Sequence, residues 1–387
     1  MILLLSSAHR PDDRRVAALE AASLAEAGFD LLHVCVAGEA SPAGVPTVAL
    51  RRGPGVVQRL MFLVRIGLVA ARHRPRLVQA NEPDSWAVAL ALKAFLRCRV
   101  LFDAHEDYLD PDRLGAVARP LRPLAARALA GLFRAFARHS DGILCVSAER
   151  VAVFPLPRRA PPVLIVRNTV RRAETLALPR AEAATLARFD SVAVGAMGWQ
   201  RGWPAMVAAL AATPLAPFRC VIVGPVTDGS EPSLRAEIER RGLTDRILLV
   251  GRLPRALALE RAARGQIALV LFAARARNHE TALPHKLFEA MALGLPVAVS
   301  SAVRPAAALV RDIGCGVAVD AERDAALADA LGSLYFRPLD RLVMGELGRR
   351  ASLGRLAWDE DAAGLVGFYG RLLGTARSGP KGNGDGG

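Results

Sequence analysis

The chain has 387 residues, enough for two domains with sizeable cores. Hydrophobic residues make up 52% and charged residues 23%, which excludes a disordered or low-complexity chain. The net charge of +14 implies either an anionic partner (nucleic acid or an anionic membrane face) or an arginine-rich background with no partner.

The opening MILLLSS has no basic segment before its apolar run and reads as a buried first strand, not a signal peptide. Short β-branched runs then alternate with helical patterns. The first-half strand candidates are 2–6, 30–36, 76–80, 99–104, 142–146 and 163–166. In the second half they are 191–196, 219–224, 247–251, 267–273, 296–301 and 316–319. Each is short and mostly apolar on both faces, the pattern of parallel strands covered by helices on both sides. Two such sets predict an α/β chain of two Rossmann-like domains with parallel sheets. The break falls near 168–190, giving domains at 1–170 and 171–350, a closing helix at 351–376 and a disordered tail at 377–387. No apolar stretch is long enough to predict a transmembrane helix.

Two segments depart from plain alternation. Residues 56–73 predict a strongly apolar helix punctuated by Arg59, Arg65 and Arg72. Residues 113–138 mix apolar residues with repeated arginines and no acid. A basic helix with an apolar face lies in a membrane interface, or is a domain helix whose arginines reach out to water. The five cysteines, Cys35, Cys98, Cys145, Cys220 and Cys315, are far apart, with no C-x-x-C pair and no Cys/His cluster. That argues against a disulfide framework or a structural zinc and fits a reducing cytoplasm.

In open α/β sheets ligands bind beyond the carboxyl ends of the strands, so the residues after each strand carry the information. After 191–195 comes VGAMGWQRGW, where Gly195, Gly198 and Gly202 permit a tight turn and Arg201 offers a cation. After 267–273 comes a polar loop and then LPHKLFEAMALGLPVAVS. Pro284 suits the first helical position and Gly294 the stop. The helix N-terminus attracts an anion such as a diphosphate, and Lys286 in its first turn neutralises phosphate. Glu289 shares a face with Lys286 and can accept hydrogen bonds from a ribose diol; the alternative is a solvated ion pair between them. Leu287, Phe288 and Met291 face the sheet. In the first half, RVLFDA ends in His105, within DAHEDY, either positioned toward a sugar hydroxyl or developing charge, or simply structural. Asp103, Glu106 and Asp107 surround it without clear metal-ligand geometry, and no metal or other cofactor is expected.

In order along the chain, these pieces resemble the GT-B glycosyltransferases, and within them the retaining family 4. The matching stretches are DDRRVAALEAASLAEAGFDLLHV, LFDAHEDYLD, GILCVSAERV, VLIVRNTV, VGAMGWQRGWPAMVAAL, VGRLPRALALERAARGQIALVLF, LPHKLFEAMALGLPVAVSS and AWDEDAAGLVGFYGRLL. The resemblance implies an acceptor domain, a nucleotide-sugar donor domain and a last helix that crosses back to the first domain. It implies that Glu289 holds the donor ribose, that Lys286 and Arg201 grip the diphosphate, and that His105 sits by the transferred sugar. Gly198 and Arg252 fall in the donor-binding stretches. Two departures stand out. Arg201 replaces the usual Lys, and the first Glu of the E-x7-E motif is Thr281, with Glu280 one residue away.

The implied activity is transfer of a sugar from a UDP- or GDP-sugar, with retention, to a glycan or lipid-linked acceptor. Cell-surface polysaccharide or lipopolysaccharide synthesis is the implied setting, in the cytoplasm or on the inner membrane face. Competing readings are a sugar-nucleotide epimerase or hydrolase on the same fold and a catalytically degenerate partner subunit. Nucleic-acid binding ranks below these, because aromatics are only 5% of the chain and the arginines are scattered.

Overall fold

The computed structural model describes all residues except 41–43, 111–113, 116, 182–188, 214–217, 274–276 and 376–387; the predicted tail 377–387 lies outside the described residues. The chain divides into two compact units, Met1–Val166 with the chain from Glu360 onward, and Arg167–Asp359.

The first unit is a seven-stranded, all-parallel sheet in the order β3-β2-β1-β4-β5-β6-β7. Its strands are β1 (Ile2–Leu5), β2 (Leu31–Val36), β3 (Thr47–Leu50), β4 (Leu77–Ala80), β5 (Arg99–Ala104), β6 (Gly142–Cys145) and β7 (Val163–Ile165). Six of these match predicted strands. The edge strand β3 was not expected: its four residues pair only with β2 and are partly exposed, so TVAL carries no buried apolar run. The fully buried β1 is the run read from MILLLSS.

Helix α1 is π-helical over Arg14–Ala21 and α-helical over Ala22–Glu26, and α2 (Val56–Arg72), α3 (Pro83–Leu96) and α4 (Arg122–His139) follow. Alternate strand residues, such as Leu3 and Leu5, Val78 and Ala80, Val100 and Phe102, share one core with α2, α3 and α4 through Phe62, Ile66, Trp86, Ala89, Phe133 and Ala137. Trp86 stacks on Phe102 at 3.9 Å, and its Nε1 donates to Ser140 Oγ at 2.8 Å. The other sheet face carries His33, Gln79 and Asp103, buried together with Glu20 of α1 and Tyr369 of the last helix. That helix, Trp358–Leu373, joins the first unit from Glu360 on.

The second unit has six parallel strands in the order β10-β9-β8-β11-β12-β13. They are β8 (Phe189–Val194), β9 (Phe218–Val223), β10 (Ile247–Gly251), β11 (Ile267–Val270), β12 (Val297–Ser300) and β13 (Gly316–Val319). Cores on both faces explain why these strands read as continuous apolar runs. The helix Pro338–Leu353 belongs wholly to this unit, so the re-entry into the first unit comes later than the predicted 351. The reason is close helix packing: a Cβ on Gly345 would lie 2.0 Å from the Gly294 carbonyl oxygen.

Gly345→Ala therefore forces backbone apart, with an expected loss of about 1–3 kcal/mol in urea unfolding. Gly332→Ala, a helical site with open space around its Cβ position, is the control and should be neutral or slightly stabilising. Equal midpoints for the two variants would refute the tight-packing account.

Candidate functional site

In the second unit the strand order reverses between β8 and β11. β8 leads into Gly195, at φ 93°, and then a tight helical turn over Trp199–Arg201 closed by Gly202 at φ 85°. Both dihedrals favour glycine. Asp228 accepts the Trp199 N–H at 2.6 Å, and a Cβ on Gly198 would sit 2.6 Å from the same carboxylate oxygen. Gly198 thus makes room for the carboxylate that fixes the turn. The turn is tied to the chain after β11 by Ala273 N–H donating to Gln200 O at 2.9 Å.

The helix His285–Leu293 follows, with Pro284 as its N-cap residue rather than its first helical residue, and Gly294 ends it at φ 77°. Leu287, Phe288 and Met291 are buried against the sheet, as their spacing predicts. Glu289 is buried too, and its Oε1 accepts from Arg255 Nε at 2.8 Å. Arg255 also pairs with Glu174. The alternative Lys286–Glu289 ion pair does not form.

Lys286 goes elsewhere. Its ammonium lies over the Phe272 ring, 4.3 Å from the centroid, and is sealed from solvent with no hydrogen-bond partner among the described residues. Burial, reinforced by the positive charge of Arg201, pulls its pKa down to about 7. The charge of Arg201 is thus felt at Lys286. Arg201 itself is exposed and donates to Ala196 O at 3.2 Å.

The remaining predicted positions are less central. Glu280 is partly exposed and pairs with Arg304 at 3.3 Å. Thr281 is buried, so a carboxylate there would need an equally buried partner. Arg252 is exposed just past β10. Three residues on, Arg255 is the arginine that reaches Glu289. Sequence reading passed over it because LPRALALERAARG offers several arginines and no way to rank them.

In the first unit the strand order reverses between β1 and β4. The carboxylate of Glu82, after β4, accepts the backbone N–H groups of Ser7, Ala8 and His9, after β1, at 2.7, 2.9 and 3.1 Å. His105, after β5, holds its Nδ1 3.1 Å from Asp103 Oδ2. Its Nε2 lies 3.3 Å from Nε2 of His9, whose Nδ1 is 2.9 Å from Asp13. Burial alone would lower the His9 pKa, but the hydrogen bond and charge of Asp13, with Glu82 and Asp103 beyond, raise it to about 9. His9 is then a cation at neutral pH. Its Nε2 faces the His105 ring, whose other nitrogen faces Asp103. Asp103 is held as a carboxylate well below its ordinary range by Arg15, which it accepts at 2.8 and 2.9 Å, and by His105. Asp107 instead turns to the Leu109 N–H and Arg150. Among the described residues no group of three or more His, Cys, Asp or Glu side chains could hold a metal ion.

His9, Asp13 and Glu82 were not anticipated. The rule that ligands gather beyond strand ends pointed to SSAHRPDD as much as to DAHEDY, but only the strand order shows that β1 and β4 are neighbours. A folded-state His9 pKa of about 9, against an ordinary 6.5, stabilises the fold fully below pH 6.5 and loses that contribution as pH rises through 9. Urea unfolding of wild type and His9→Gln should differ by roughly 3 kcal/mol at pH 6 and converge by pH 10. Parallel pH profiles would remove the His9–Asp13 charge pair from the account.

Comparison with known proteins adds family evidence to this geometry. Residues 14–154 match the model described as Glycosyltransferase Family 4, and residues 188–336 the model described as Glycosyl transferases group 1. No curated protein matches the chain in sequence. Sucrose-phosphate synthase from Thermosynechococcus elongatus is 19% identical, with a TM-score of 0.75 over 97% of this chain and 100% of its own. Anabaena Alr3699/HepE in complex with UDP and glucose is 15% identical, with a TM-score of 0.74 over 97% and 100%. WaaG, a glycosyltransferase involved in lipopolysaccharide biosynthesis, is 14% identical, with a TM-score of 0.67 over 95% and 100%. At these identities the structures speak for a shared fold.

Proposed function

The chain belongs to the GT-B glycosyltransferases, with a Family 4 domain followed by a group 1 domain, and from that premise we propose that it moves a sugar from a nucleotide-sugar, with retention, to a glycan or lipid-linked acceptor. The observation that carries the donor half is Lys286. A buried ammonium without a hydrogen bond, beside a second cation, is costly in the free protein. A diphosphate repays that cost by supplying oxygens to both.

In this reading the donor diphosphate lies at the N-terminus of the helix His285–Leu293, with Lys286 and Arg201 on its oxygens. Gly198 keeps the turn beside it narrow. Glu289, oriented by Arg255, accepts the ribose hydroxyls; a carboxylate has lone pairs for more than one donor. As the glycosidic bond breaks, negative charge grows on the leaving diphosphate. The fixed cations and the helix dipole stabilise that charge more than the ground state, which is the catalytic effect. In this reading His105, held through Nδ1 by Asp103, supports the sugar as it becomes cationic rather than acting as a strong base. No metal or cofactor is required by these roles. UDP or GDP is the leaving group proposed, and the presence of UDP and glucose in the Anabaena neighbour supports the former. Cell-surface polysaccharide or lipopolysaccharide synthesis, on the cytoplasmic side of a membrane, is the setting proposed.

Titration calorimetry with UDP, GDP and ADP tests the donor site. One diphosphate should bind, and Glu289→Ala should weaken it at least tenfold. Failure of all three to bind wild type would favour a degenerate partner subunit. Lys286 adds a pH signature. Its pKa is about 7 in the free protein and rises when an anion binds, so binding takes up a proton above pH 7. Between pH 7.5 and 9 affinity should fall by up to about tenfold per pH unit. Lys286→Met should bind weakly and without that slope; a flat wild-type profile would contradict the assigned contact.

A further inference from the structure

Helices α2, α3 and α4 form a single layer over one face of the first unit's sheet. Their inward residues are accounted for by the core. Their outward residues are not those of an ordinary solvated surface. On α2, Val56, Val57, Leu60, Met61, Val64 and Leu68 are each 57–75% exposed, while Phe62, Ile66 and Ala70 are buried on the opposite side. The stripe runs from Val56 to Leu68, about 18 Å at 1.5 Å per residue. Phe95 at the end of α3 is 84% exposed, and Leu121 and Leu124 at the start of α4 are 55% and 65% exposed.

The charge on this layer is one-sided. Arg59, Arg65 and Arg72 lie on α2, Lys93 on α3, and Arg122, Arg127, Arg134 and Arg138 on α4. Asp84 is the one acidic residue in the three helices, and Arg59 holds it at 2.6 Å. At the outer flank of α4, a groove of about 560 Å³ is lined by Arg134, Arg138, Leu156, Pro157, Arg158 and Arg159. Among the described residues none of these four arginines has a hydrogen bond or ion pair.

We propose that the outward face of α2 to α4 is a membrane-docking surface for an anionic phospholipid bilayer, with the α2 stripe seated among the acyl chains and the α4 groove holding headgroup phosphates. The chemistry fits this occupant. An apolar stripe bordered by arginines lies in the interface plane, its apolar side about 5–10 Å below the headgroups. No described helix is long and apolar enough to cross a membrane, so the contact is interfacial. A second copy of the chain fits poorly, since a two-fold contact would face arginine-rich helices against each other. This surface deepens the lipid-linked part of the proposed function, and it does not depend on the donor site.

The test is co-sedimentation of the full chain with vesicles of phosphatidylcholine alone or with one-third phosphatidylglycerol. Binding should be at least tenfold stronger to the anionic vesicles and should weaken as salt is raised from 0.05 to 0.5 M. The triple variant Leu60→Gln, Met61→Gln, Val64→Gln should lose at least tenfold, and Arg134→Gln with Arg158→Gln severalfold. All these positions are exposed, and an unchanged unfolding midpoint checks that the variants are intact. Wild type that ignores anionic vesicles, or a triple variant that binds like wild type, overturns the proposal. So does a dimer in lipid-free solution that the triple variant dissolves. Nucleoside diphosphate binding by the same variants separates failure here from failure of the donor reading.

Discussion

Parallel strands set the terms for this molecule. A parallel sheet must be covered on both faces, so its strands are apolar on both sides and their polar backbone ends emerge only at the rims. Chemistry is then pushed to the carboxyl ends of the strands, and most strongly to the places where strand order reverses. Both units obey this. Beyond β1 and β4 the backbone N–H groups of residues 7–9 converge on Glu82. Beyond β8 and β11 the glycine turn is tied to the segment that carries Phe272 and, past it, Lys286.

The two ends handle charge in opposite ways. In the first unit buried charges sit beside complements: Arg15 with Asp103 and Glu20, His9 with Asp13, His105 with Asp103. Such a network is satisfied in the free protein and holds its members in place. In the second unit Glu289 is satisfied by Arg255, but Lys286 has, among the described residues, an aromatic ring beneath it and no hydrogen-bond partner. A ring face attracts a cation weakly compared with the water it has lost. Stability alone would select a neutral side chain there, and under the proposed function its cost is offset when an anion binds.

Much of this was legible from sequence because the strands are short, apolar and bounded by glycine and proline. The Leu287, Phe288, Met291 face and the Gly294 stop followed directly from helical spacing. Edge strand β3 was not legible, since four half-exposed residues carry no periodic signal. Nor was the partner of Glu289: local spacing offered Lys286, one turn away, whereas the fold supplies Arg255 from another helix. His9 was hidden for the same reason. Its meaning depends on His105, ninety-six positions later in sequence, and no local pattern joins them.

The first unit's sheet also separates two kinds of surface that composition alone blends into a single excess of positive charge. One face buries Glu20, Gln79, Asp103 and Tyr369 in a polar network under α1 and the last helix. The other packs a mainly apolar core inside and carries arginines and exposed leucines outside. Strand alternation makes this possible, because neighbouring residues on a strand answer to different layers. A net charge of +14 is therefore not a uniform property of the molecule. On the α2 to α4 layer nearly every charge is positive and few are paired, while in the helix Glu231–Arg240 the arginines sit beside glutamates one turn away. Charge that pairs locally supports a helix; charge left unpaired beside exposed apolar residues is what the proposed docking to phosphate and hydrocarbon would use.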